Sequence, residues 1–318
     1  MRRLRVGVVG VGHLGQHHAR LYATLPEAEL VGVVDPRREQ AALIAGKCGA
    51  KVFHDLDALL KEVQAVSVAV PTSGHYPVAK ACLNAGVHVL VEKPIAVEPD
   101  EARDLVRTAR EHRCVLQVGH VERFNPGIAA IRPHLKKPGF IECHRLSRFG
   151  PRGTDVDVVL DLMIHDLDMV LSFRPGTIEE VRASGVPVLT STCDIANARI
   201  QFSGGCVANL TASRVSSAPM RRIRVFQRDA YLSMDYHTRQ GMIYRRTVPG
   251  GGQPGLEIQQ ITGGDAEPLK LELDAFVRSV STGTPPEVSG EDGTAALELA
   301  HQVLNAIEEF IRRHREEG

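Results

Sequence analysis

Glu92-Lys93-Pro94 stands directly after Val87-His88-Val89-Leu90-Val91, an apolar run that reads as a buried strand. A lysine held at a strand end by the following proline can aim its cation at a ligand, polarise a hydroxyl and stabilise a developing alkoxide. A Lys-Pro pair also suits a surface turn, but its place after a buried strand favours function. Further along, Asp161-Leu162-Met163-Ile164-His165-Asp166-Leu167-Asp168 sets Asp161, His165 and Asp168 at i, i+4 and i+7 on one helix face. A histidine flanked by carboxylates has the chemistry of a general base, with the acids orienting the ring and stabilising the imidazolium. By spacing alone the same stripe also fits a structural polar network.

These groups need a scaffold, and the first residues define one. Leu4-Arg5-Val6-Gly7-Val8-Val9 reads as a strand that opens onto Gly10-Val11-Gly12-His13-Leu14-Gly15. A helix is expected from His13 to about Leu25, and then a second strand, Glu29 to Val34, ending in Asp35. A lone G-x-G-x-x-G is a weak signal, whereas a complete β-α-β unit with an acid at the second strand end is a dinucleotide fingerprint. Gly10 permits the tight turn, Gly12 the approach of a pyrophosphate and Gly15 close helix packing. Asp35 can accept hydrogen bonds from ribose hydroxyls and repels a 2′-phosphate, which favours NAD over NADP; Arg37 and Arg38 beside it soften that preference.

Strands and helices continue to alternate through Ala65–Val70, Tyr76–Ala85, Val87–Val91, Pro99–His112 and Val115–Gly119, as in a doubly wound Rossmann sheet. Ligands of such sheets bind outside the carboxyl ends of the strands. Function should therefore be read from Pro71-Thr72-Ser73-Gly74-His75, Glu92-Lys93-Pro94 and His120-Val121-Glu122-Arg123-Phe124-Asn125-Pro126. After residue 121 period-2 segments take over, between Phe140 and Arg246, interrupted by one apolar helix, Asp157 to Phe173, and followed by two amphipathic helices, Glu267–Ser281 and Glu291–Arg313. The expected class is α/β: a Rossmann domain, 1–121, then an α+β domain, 122–318, with a large, mostly antiparallel open sheet.

The whole composition narrows the function. The 318 residues carry 38 Lys plus Arg and 38 Asp plus Glu, so no net field draws nucleic acid or an anionic membrane. No apolar run reaches the roughly 18 residues needed to span a bilayer. Cys48, Cys82, Cys114, Cys143, Cys193 and Cys206 are scattered, with no zinc spacing, as in a reduced cytoplasmic protein. The 14 histidines form no H-E-x-x-H, so no metal is expected.

Taken in order, Gly10-x-Gly12-x-x-Gly15, Pro71-Thr72-x-x-His75, Glu92-Lys93-Pro94 and Asp161-x-x-x-His165 resemble the Gfo/Idh/MocA oxidoreductases over the whole chain. The resemblance implies that Lys93 is the active-site lysine, His165 the acid/base and Asp161 its helper. Val118 to Pro126, Asp157 to Asp168, Asp194 to Arg199 and Ala208 to Arg214 are similar to the nucleotide-sugar branch, nearest the GnnA-type UDP-N-acetylglucosamine 3-dehydrogenases. These make the 3-keto sugar that an aminotransferase carries toward a 2,3-diamino precursor of lipid A. Val156-Asp157, where many members have Gly-Gly, and Met163, where a glycine is common, depart from the pattern.

The expected cofactor contacts are Gly10, Gly12, His13, Leu14, Gly15, Asp35, Pro71, Thr72, His75, Glu92 and Lys93. The expected substrate contacts are His120, Arg123, Asn125, Arg148, Asp161 and His165, with Arg123, Asn125, Arg148, Arg152 and Arg214 as donors for a diphosphate. A homodimer or homotetramer is expected. Other readings are a dehydrogenase of another sugar or of inositol, a redox-assisted glycosidase that returns NAD, and a non-catalytic NAD- or sugar-binding regulator.

Overall fold

A computed structural model describes residues 3–150, 156–247 and 255–315. The chain divides into two compact units, residues 1–121 with 267–297, and residues 122–266 with 298–318. In the first, β1 (Leu4–Val9), α1 (Gly15–Tyr22), β2 (Ala28–Val34), α2 (Arg38–Cys48), β3 (Lys51–Val52), α3 (Leu56–Leu60), β4 (Ala65–Val68), α4 (His75–Asn84), β5 (His88–Glu92), α5 (Pro99–Glu111) and β6 (Leu116–Gly119) alternate. The six strands are parallel in the order β3-β2-β1-β4-β5-β6. Val6, Val8, Val66, Val68, Val89 and Val91 are fully buried, which is why these strands read as unbroken apolar runs rather than alternating ones.

The second unit begins with α6 (Pro126–Ile131) and β7 (Pro138–Leu146), followed by α7 (Ile164–Ser172), β8 (Ile178–Val186), β9 (Ile195–Phe202), β10 (Val207–Ser213), β11 (Met220–Gln227), β12 (Ala230–Asp235), β13 (Gln240–Thr247) and β14 (Gly255–Thr262). Its eight strands run in the order β14-β13-β12-β11-β7-β10-β9-β8, antiparallel throughout except for the parallel pair β7 and β10. This is the expected open, mostly antiparallel sheet. Strand β14 was not expected: its Leu256-Glu257-Ile258 alternation is short, and both apolar side chains are exposed.

Two further helices, α8 (Pro268–Thr282) and α9 (Gly290–Arg315), close the chain. Assigning all of 122–318 to the second domain needs correcting, because residues 267–297 return to the first unit. The apolar face of α8 is the cause. Leu273, Phe276 and Val277 join the core built by Val6, Val8, Tyr22 and Leu30. The Val118 N–H donates to Val288 O at 3.1 Å, and Gln117 Nε2 donates to Glu272 O at 3.2 Å.

The expected helix from Asp157 to Phe173 is not regular either. Residues Val159–Met163 wind as a π-helix before α7 begins. A π turn holds more residues than an α turn, so the i, i+4, i+7 register between Asp161 and α7 no longer follows one straight face.

Candidate active site

The glycine loop has the geometry its spacing demands. Gly10 adopts φ +82°, and a Cβ there would lie 2.7 Å from Ala69 O. A Cβ on Gly15 would overlap the Gly10 carbonyl oxygen, so α1 can start this close to β1 only with glycine at that position. Around Gly12 the one atom within 4 Å of a Cβ position is Arg37 Nη2, at 3.4 Å. Two glycines thus shape the turn while the third leaves an open approach to the start of α1, where backbone N–H groups and the helix dipole favour a phosphate. His13 and Leu14 are exposed on that turn. These residues fit a dinucleotide.

Asp35 closes the other side of the loop. Its Oδ2 accepts the Val11 N–H at 2.9 Å, while Oδ1 accepts the Arg37 N–H at 2.9 Å and Arg37 Nε at 3.1 Å. Burial would raise its carboxyl, but the hydrogen bonds from Arg37 and Val11 outweigh that and hold it below the usual carboxylate range. Gln40 Nε2 bonds Val11 O at 2.8 Å, tying α2 to the same loop.

On the strand-end rim of the first unit, Pro71 is exposed and Thr72 half-buried in a 3₁₀ turn, Thr72–Gly74. His75 was expected to contact the cofactor. Instead it is buried, with Nδ1 2.7 Å from Pro94 O and Nε2 3.0 Å from Val70 O, so the ring braces two backbone segments. Burial pulls its imidazole below the ordinary histidine range, against the pull of these carbonyls. Glu92 is buried too, and its carboxylate accepts from His18 Nε2 at 2.9 Å. Lys93 follows, half-buried, with a cis Lys93–Pro94 peptide. His120 is buried at the end of β6, its N–H on Val118 O at 2.8 Å.

In the second unit the half-buried Asp161 lies in the π turn, and the half-buried His165 is the second residue of α7. Asp168, expected on their face, turns to Arg123, whose Nε and Nη2 each lie 2.7 Å from a carboxylate oxygen. Asp166 takes Arg145 in the same two-point way, at 2.9 Å twice, and Arg145 Nη1 reaches Glu122 Oε1 at 2.9 Å. Asn125 caps α6 by accepting the Gly127 N–H at 2.9 Å, and its Nδ2 donates to Glu122 Oε2 and to Tyr236 O. Burial pushes the Asp166 carboxyl up against the pull of Arg145.

Arg123 and Asn125, expected at substrate, therefore belong to a buried network that fixes the helix carrying His165 to β7. Sequence reading missed Arg145, Glu122 and Asp166 as a group. An arginine at an inward position of a period-2 strand, opposite two acids, is the signal that marks such a network. His18 was also missed. Its spacing from Gly15 and Tyr22, i+3 and i+4 on the buried stripe of α1, is the clue.

Arg214, a diphosphate candidate, is buried and donates to Val156 O and Cys193 O. Beside it, Asp194 accepts the N–H groups of Val188, Leu189 and Thr190, and Asp157 accepts those of Val159 and Cys193. This cluster anchors the entry to the π turn. Arg148 is exposed and donates to Ser217 O at 3.1 Å; Arg152 lies outside the described residues. Among the described residues no group of three or more His, Cys, Asp or Glu side chains could hold a metal ion, and no helix is long and apolar enough to cross a membrane.

Comparison with known proteins agrees with this geometry. Residues 4–120 match the Gfo/Idh/MocA model described as an oxidoreductase family with an NAD-binding Rossmann fold, and residues 136–233 match the family's C-terminal domain. The chain is 40% identical to UDP-N-acetylglucosamine 3-dehydrogenase of Acidithiobacillus ferrooxidans over 98% of this chain and 100% of that one. The solved structure of that enzyme superposes with a TM-score of 0.92, covering 98% of this chain and 99% of the other. Myo-inositol 2-dehydrogenase of Thermotoga maritima is 26% identical over 96% of this chain and 97% of its own. The chain belongs to the Gfo/Idh/MocA family of NAD-binding oxidoreductases.

Proposed function

We propose that this protein oxidises the 3-hydroxyl of UDP-N-acetylglucosamine to the 3-keto sugar with NAD. The observation that carries the reading is the 40% identity, end to end, to an enzyme of that name, in a chain that keeps Lys93 after its strand and Asp161 and His165 at their spacing. Gly10, Gly12, Gly15 and Asp35 would hold NAD, which would supply the two-electron hydride acceptor for the alcohol carbon. His165 accepts the hydroxyl proton, Asp161 stabilises the resulting imidazolium, and the Lys93 cation holds the oxygen as negative charge grows on it.

A 3-keto sugar is the substrate of a transamination, so a sugar aminotransferase acts next, toward a 2,3-diamino sugar of lipid A. All six cysteines are free thiols, which suits the reducing cytoplasm. The second unit also suits self-association. Phe140, Phe226, Tyr231, Tyr244 and Ile258 are directly opposed across five neighbouring strands, with Phe226 and Tyr231 stacked at 4.6 Å and Tyr231 and Tyr244 at 5.2 Å. Such an apolar row on an open sheet suits a homodimer or homotetramer.

Purified protein incubated with NAD and a panel of UDP-sugars, with NADH followed by absorbance and the ketone trapped by hydroxylamine, tests the substrate. UDP-N-acetylglucosamine should give NADH and a trapped 3-keto product. NADH from inositol or a free sugar but none from UDP-N-acetylglucosamine would overturn the reading.

A further inference from the structure

In the π turn, Val159–Met163, the Ile164 N–H reaches Val159 O, one residue further back than an α-helix would place the bond. The added residue falls in the stretch that carries Asp161 and leads into His165, so the winding sets how those two side chains lie relative to each other. Val158, Val159, Met163 and Ile164 are fully buried. Their apolar packing holds the stretch down but does not choose between π and α winding. Asp157 supplies a polar anchor at its start: Oδ1 accepts the Val159 N–H at 2.8 Å, Oδ2 the Cys193 N–H at 3.2 Å, and the main-chain oxygen the Asp161 N–H at 3.0 Å. We propose that Asp157 is a positioning residue for Asp161 and His165, its carboxylate fixing the π turn that carries the one and leads into the other.

Hydrogen bonds run unbroken from Asp157 to both residues. The Asp157 carbonyl reaches Asp161 directly, and the Asp157 carboxylate reaches Ile164, next to His165, through the N–H and the carbonyl of Val159. The anchor is itself held. The Val158 N–H donates to Cys193 O at 3.3 Å, and Arg214 Nη2 donates to Val156 O at 2.5 Å and to Cys193 O at 3.2 Å, which ties the turn to the entry of β9 and the exit of β10. A carboxylate suits the place because its two oxygens accept from two N–H groups at once; an amide has one acceptor oxygen and an alanine side chain has none.

This role rests on Asp161 and His165 being the acid/base pair of the proposed function, and the test separates the two. Deuterium exchange of the peptide spanning residues 158–165, read by mass spectrometry, reports the turn whether or not the enzyme turns over. In Asp157→Ala its amides should exchange about 2- to 30-fold faster. NADH formation in a single turnover with saturating NAD and UDP-N-acetylglucosamine should slow by about 10- to 100-fold, while the KM for the sugar and the affinity for NAD stay close to wild type. Asp157→Asn, which keeps an acceptor for one N–H only, should lie between wild type and alanine in both measurements, and it carries the test where the alanine variant does not fold. Unaltered exchange, or a wild-type rate in either folded variant while His165→Ala is inactive, would overturn the positioning role alone. A raised KM with kcat unchanged would do the same. Full turnover in both Asp161→Ala and His165→Ala would overturn the reading of the pair, and the positioning role with it.

Discussion

Arg37 lies against Asp35, its Nε 3.1 Å and its backbone N–H 2.9 Å from the same carboxylate oxygen. The acid that should repel a 2′-phosphate thus carries a cation beside it, and that cation also lies 3.4 Å from where a Cβ on Gly12 would be. The Arg37 side chain is 64% exposed and that of Asp35 only 4%, so the pair is screened and its effect modest. Arg37→Ala should lower kcat/KM for NADP by about twofold to fivefold while leaving NAD little changed. Asp35→Asn should act in the opposite direction and narrow the gap between the cofactors. Parallel kinetics with the two cofactors check both.

Gly15→Ala should weaken cofactor binding, because the added methyl overlaps the Gly10 carbonyl oxygen and forces α1 away from β1. Calorimetry should show NAD at least ~10-fold weaker, equivalent to 1.4 kcal/mol. Wild-type affinity in the variant would contradict the close approach.

Lys93→Ala and His165→Ala should each lower turnover by about 10²- to 10⁴-fold, with NAD affinity largely retained. Near-normal turnover in either variant would remove that residue from its role.

Arg145→Met leaves Glu122 and Asp166 facing each other without their shared guanidinium. Breaking a buried ion pair from one side costs about 3–5 kcal/mol, so the thermal midpoint should fall by roughly 6–20 °C. A scanning melt measures it. Because Arg145 holds the helix carrying His165, kcat should fall as well at temperatures where the variant is folded.

Burial alone would raise the Asp194 carboxyl, but hydrogen bonds from Leu189, Thr190 and Val188 bring it down to about 2. A carboxylate depressed in the folded state stabilises it above the unfolded value near 3.8 and loses that contribution as pH falls from there toward 2. Asp194→Asn should therefore be less stable than wild type at pH 6, with the difference shrinking between about pH 4 and pH 2. Thermal melts across that range test it.

The features legible along the chain share a physical origin: they are local. Gly10, Gly12 and Gly15 answer to backbone sterics within one turn, Asp35 to its place at a strand end, and the valine runs of β1, β4 and β5 to burial on both faces. Periodicity likewise exposed the strands from β7 to β13. The exposed β14 and the π turn before α7 escaped, the first because its alternation buries little, the second because apolar spacing does not separate π from α winding over five residues.

The sequence by itself determined a dinucleotide domain, a following mixed domain with a mostly antiparallel sheet, and the residues able to carry an alcohol oxidation. Only the tertiary structure decided where the charged side chains end. It turned Asp168 to Arg123, Asp166 to Arg145, Glu92 to His18 and both nitrogens of His75 to backbone carbonyls, and it returned residues 267–297 to the first unit. Residue type sets what a buried charge requires, whereas its partner, 45 positions away for Arg123 and 74 for His18, is chosen by how strands and helices pack.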